Sequence, residues 1–183
     1  MVKFMNKLLL SALVMTFTFA SSMAMSAWDK DESVELDAKA QVALSEFRAK
    51  DPSVETFINK SVGYVVIPTV GKAGVGIGGA RGKGVLYENG EVTAVVTLTQ
   101  LSIGFQWGGQ AYSEFLFFQN DDTLSNFKQG NFELGAQASA VAVTAGISAD
   151  AAFVNGMAIF TRAKGGLMYE AAVGGQKFKV ELK

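Results

Sequence analysis

Gly63-Tyr64-Val65-Val66-Ile67-Pro68-Thr69-Val70-Gly71-Lys72-Ala73-Gly74-Val75-Gly76-Ile77-Gly78-Gly79-Ala80-Arg81-Gly82-Lys83-Gly84 sets seven glycines between positions 71 and 84, among β-branched residues and three cations. Gly74, Gly76 and Gly79 satisfy G-x-G-x-x-G, which in a dinucleotide fold closes a strand and opens a helix whose N-terminus faces a pyrophosphate. Here the glycines run on to Gly82 and Gly84. Val85-Leu86-Tyr87 with Glu88-Asn89-Gly90-Glu91 then reads as a strand entering a tight hairpin turn, with no helix. Lys72 and Lys83 are followed by Ala73 and Gly84, so there is no Gly-Lys-Ser or Gly-Lys-Thr phosphate loop either. The glycines are read as places where strands cross closely, bulge or bend in a curved sheet, in preference to a phosphate cradle.

Downstream, β signals dominate. Val92–Gln100, Ser102–Gly108 and Ala111–Gln119 are rich in Val, Thr, Ile and aromatics, and Val92–Thr99 alternates only in part, which suits a strand covered on both faces. Asp121-Asp122-Thr123 caps a single helical turn carrying Leu124 and Phe127. Further strands are expected within 132–146, 151–162, 166–173 and 176–182. Upstream, Leu36, Ala40, Ala43, Leu44 and Phe47 recur at helical spacing over 28–50, with polar residues between them. Asp51-Pro52 breaks that helix and starts a second, with Val54, Phe57 and Ile58 inward. The expected fold is α+β, with N-terminal helices packed on a curved antiparallel β-sheet, barrel-like or a sandwich. Residues 28–60 are its helical part and 61–183 its mainly β part.

Lys3 and Lys7, the apolar run Leu8–Ala20 and small residues through Ala27 read as a secretory signal peptide over 1–27. That apolar run is shorter than the ~20 residues a spanning helix needs. An outer-membrane barrel is set aside, because repeated lipid-facing strands with aromatic girdles are not evident. The remaining chain, 28–183, is the size of one domain. Loss of Lys3 and Lys7 takes the formal charge from -1 to -3, a poor balance for binding nucleic acid non-specifically. Cysteine and histidine are both absent. Thiolate and imidazole chemistry goes with them, along with the common Zn²⁺ ligands and the usual base of Ser and Cys hydrolases. Glu114, beside Tyr112 and Ser113, is the one polar cluster suggestive of acid–base work. With no base near it in sequence it reads as the partner of a cation such as Arg81. No catalytic residue, metal ligand or cofactor is expected.

The segments Gly63–Gly90 and Ser102–Phe118 together resemble the SYLF domain, a lipid-binding domain also catalogued, through yeast members, as an actin-binding domain. The second segment reads Ser102-Ile103-Gly104-Phe105-Gln106-Trp107-Gly108-Gly109-Gln110-Ala111-Tyr112-Ser113-Glu114-Phe115-Leu116-Phe117-Phe118. The resemblance implies a non-catalytic protein that binds anionic lipids, phosphoinositides in eukaryotic members. An exported bacterial member would meet neither actin nor phosphoinositides, so actin is not an expected partner. What transfers is binding to anionic lipids or membrane surface, in a periplasmic protein either free or peripheral to a membrane. An envelope structural or protein-interaction module is the alternative.

An anionic head group needs cations or free N–H groups beside an apolar surface. Lys72, Arg81 and Lys83 among the glycines supply the first, although a solvated hairpin edge would carry the same charges. Of the aromatics in 105–118, most should enter the core, while Trp107 or Phe118 is placed to reach an interface. The candidate lipid- or anion-binding residues are therefore Lys72, Arg81, Lys83, Trp107 and Phe118.

Overall fold

The computed structural model describes residues 28–104, 110–130, 132–135, 141–142, 153–164 and 173–183, with backbone alone at 74–77, 102–104 and 141–142. Helix α1 spans Lys30–Lys50 and α2 Val54–Lys60. The strands are β1 (Gly63–Glu88), β2 (Glu91–Gly104), β3 (Gln110–Phe118), β4 (Phe132–Glu133), β5 (Val141–Ala142), β6 (Met157–Ala163) and β7 (Lys177–Leu182), with helix α3 (Asp121–Lys128) after β3. They join in one seven-stranded sheet of order β4-β7-β2-β1-β3-β6-β5, curled into a half-barrel. Every described pairing is antiparallel except the short β5–β6 contact. The molecule is α+β, as expected. The expected leader over 1–27 and Trp107 lie outside the described residues.

The glycine run lies inside a strand. β1 takes in all of Gly63–Glu88, its first arm pairing with β3 through Gly63–Lys72 and its second with β2 through Gly76–Glu88. At about 3.3 Å per residue, 26 straight residues would reach about 86 Å, so the strand has to bend sharply. Two devices permit this. Pro68, which has no N–H for the ladder, sits at the register shift between Ile67 and Val70. At Gly84, a Cβ would stand 2.1 Å from the Val66 carbonyl oxygen and 2.7 Å from the Ile67 Cα, so the arms approach only because no side chain is present there. Asn89 (φ 53) and Gly90 (φ 81) then form the expected two-residue hairpin turn into β2.

Both faces of the sheet are covered, and for that reason its central strands read as unbroken apolar runs. Val66, Val85, Phe115, Phe117 and Phe160 meet Ala40, Ala43, Leu44 and Phe47 of α1 and Val54 and Phe57 of α2. Ring centroids lie 4.7 Å apart for both Phe47–Phe115 and Phe57–Phe160. On the inner face Val65, Ile67, Leu86, Val96, Leu98, Tyr112, Leu116, Phe118 and Phe178 pack with Leu124 and Phe127 of α3.

Side-chain caps set the helix starts. The Asp29 carboxylate accepts from the N–H groups of Asp31 and Glu32, while Arg48 and Lys50 occupy the last turn of α1. Asp51 accepts from Ser53 N–H ahead of α2. The cap of α3 is Asn120, one residue before the expected Asp121, and its side chain accepts from Thr123 N–H at 2.9 Å. Among the described residues no helix is long and apolar enough to cross a membrane.

Candidate functional site

Antiparallel register places cations in rows across strands that are remote in sequence. Arg81 of β1 faces Thr99 of β2, Thr99 faces Lys177 of β7, and Lys177 faces Glu133 of β4. Residues directly opposite in a ladder share a face, so these four side chains form one line over the sheet. Arg81 and Lys177 stand two strand spacings apart, about 10 Å. The next row, Lys83–Thr97–Lys179, lies on the same face one pleat along.

The Arg81 row borders a cleft of about 620 Å³. Gly71, Ala73, Gly79, Ala80, Leu101 and Gly175 supply its small and apolar surface. Consecutive residues Gly79–Arg81 and Thr99–Leu101 all reach this cleft, so it wraps the curled end of β1 and β2. Leu101 on its rim is 86% exposed.

The neighbouring carboxylates leave these cations unequally free. Lys83 is ion-paired to Glu32 in the first turn of α1, and Lys179 to Glu181 at 2.9 Å. Lys177 lies 3.4 Å from Glu133, with both side chains more than half exposed. Arg81 has no carboxylate partner among the described residues. Such solvent-facing pairs are worth at most about 1 kcal/mol, and an arriving dianion displaces them readily.

Of the expected site residues that are described, only Arg81 lines the cleft. Lys83 is two residues along on the same face and is engaged by α1. Lys72 belongs to the other arm of β1, opposite Gln110, between two residues that line the cleft while it does not. Phe118 is corrected outright: it is fully buried, its ring 4.8 Å from that of Phe127 beneath α3. The reason is the two-sided burial of β3, which takes Tyr112, Leu116 and Phe118 into one core and Phe115 and Phe117 into the other. Lys177 and Thr99 were missed. The alternation Lys177-Phe178-Lys179-Val180 marks a strand with one basic face, but nothing in it names β2 as its neighbour.

Glu114 is also corrected. It points into the inner core, fully buried, and does not meet Arg81. Its Oε2 accepts from Gln176 Nε2 at 3.0 Å, and the same amide lies 3.4 Å from the Tyr112 hydroxyl. Burial pushes the Glu114 carboxyl up to about 8, against the smaller opposing effect of the Gln176 hydrogen bond. Burial, with the Glu114 charge beside it, also raises the Tyr112 phenol above its ordinary value. No second carboxylate converges on Glu114 among the described residues.

Residues 99–181 match the family model described as Ysc84: Las17-binding protein actin regulator. No curated protein matches the chain. The matched stretch runs from Thr99 in the cleft wall through β3 and α3 to β7, and over these residues the chain is similar to the SYLF domain family.

Proposed function

We propose that the protein is exported to a bacterial envelope, where it binds anionic lipid head groups or membrane surface without transforming them. SYLF-family proteins are associated with lipid and actin binding in general. An exported chain meets membrane and not actin. The observation that carries the reading is the Arg81–Thr99–Lys177 row beside a cleft with small apolar walls and a protruding Leu101. Cations beside exposed apolar surface suit an amphiphile, whose charged end takes the row while its chain takes the walls. The family is not known for enzymatic activity.

Co-sedimentation of the mature chain with vesicles of phosphatidylglycerol and phosphatidylcholine tests this. Binding should rise with the anionic fraction, and the double variant Arg81→Glu plus Lys177→Glu should lose about tenfold or more in affinity. Lys72→Glu, outside the cleft, should lose far less. Equal loss from Lys72→Glu would move the site away from the cleft. Failure to sediment on any composition would favour a protein-interaction module, a reading supported by Val34 and Val42, which stand 62% and 59% exposed on α1.

A further inference from the structure

The inner core holds a polar constellation that the cleft does not use. Glu114 on β3 faces Thr161 on β6 directly across the ladder, and Gln176, just before β7, reaches in to donate to Glu114. The three side chains are at most 2% exposed. One oxygen of each, Glu114 Oε1, Thr161 Oγ1 and Gln176 Oε1, has no hydrogen-bond partner among the described residues. Buried polar atoms in folded proteins are nearly always satisfied, so three neighbouring orphans call for a missing partner. No Lys or Arg is among the buried described residues to supply one.

The chemistry of the set specifies that partner. All three orphans are oxygens, one from a carboxyl, one from a hydroxyl and one from an amide, with the Tyr112 hydroxyl oxygen beside them. That is the ligand type of a hard cation. A glutamine at 114 would occupy nearly the same volume with no ionisable group to bury, so a glutamate is suited to a partner that uses its charge. A single water offers only two hydrogens to the three oxygens and would leave Glu114 protonated, its charge unused. One buried carboxylate is neutralised by one monovalent ion, whereas a divalent ion would leave a net positive charge in an apolar core.

We propose that Glu114, Thr161 and Gln176 form an internal binding site for a monovalent alkali cation, Na⁺ or K⁺, which ties β3, β6 and the approach to β7 together. The site is separate from the cleft, and its test contains no lipid, so it stands or falls independently of the lipid-binding reading.

The mature protein is melted in choline chloride, NaCl, KCl and CaCl₂ at equal ionic strength. NaCl or KCl at about ten times its dissociation constant should raise Tm by about 4 °C over choline chloride. Glu114→Gln should abolish the response and Thr161→Val should weaken it. Should Glu114→Gln fail to fold, Thr161→Val and ²⁰⁵Tl⁺ NMR of the unaltered protein carry the test, the bound thallium resonance shifting from the free one and disappearing on addition of K⁺. Equal Tm in choline and both alkali salts, an undiminished response in either variant, a Tl⁺ resonance unmoved by protein, or a response to Ca²⁺ alone would each overturn the proposal.

Discussion

Two residues carry consequences out of proportion to their size. Gly84 has no room for a methyl group: the obstacles are the backbone of Val66 and Ile67, which cannot rotate aside as a side-chain tip would. Gly84→Ala should destabilise by roughly 3 kcal/mol or more in denaturant unfolding, whereas Gly71→Ala, in the same strand with nothing within 4 Å, should change stability little. Glu114 acts through its proton. Its carboxyl titrates near 8 in the native protein against an ordinary value of 4.5, so between those values the native chain holds a proton that the unfolded chain has released. In choline-buffered medium, stability from this group should be present below pH 4.5, fall as pH rises towards 8 and level off above it. Glu114→Gln should flatten that part of the profile, as read from urea midpoints between pH 5 and 9.

At the level of elements, α1 is held by its apolar stripe more than by its ions. Phe47 is fully buried against Phe115 and Phe160, while the Lys83–Glu32 pair that tethers the other end of the helix is about a third exposed on both sides. Phe47→Ala should therefore cost about 3–5 kcal/mol. Lys83→Met should cost under about 1 kcal/mol, with both measured by chemical denaturation. The stripe was legible at once, because Ala40, Ala43, Leu44 and Phe47 recur with the helical period and Asp51-Pro52 marks where it ends. The extent of β1 was not. Glycine lowers strand propensity, so the run between Val70 and Val85 reads as an interruption. In the folded protein Gly82 and Gly84 at its end allow the two arms of one strand to touch.

Across the whole molecule, an acidic chain presents a local basic row, so attraction to an anionic surface depends on short-range placement and not on net charge. Vesicle binding should accordingly weaken several-fold as NaCl rises from about 0.05 to 0.5 M, where the screening length shrinks to a few ångströms. That decline, followed by sedimentation, should be smaller in Arg81→Glu plus Lys177→Glu, which has less attraction to lose. Local pattern was enough to determine the α+β class, the two N-terminal helices and the Asn89-Gly90 hairpin, and to single out Arg81 as a candidate. Each depends on periodicity, caps or turn geometry that span only a few residues. Tertiary structure alone decided that Lys177 joins Arg81 across 96 positions of chain, that Glu32 takes Lys83, that Phe118 is sealed beneath α3 and that Glu114 meets Thr161 and Gln176 in the interior. Strand order and register are settled by the packing of both sheet faces together, and no local stretch of residues encodes which distant strand lies alongside it.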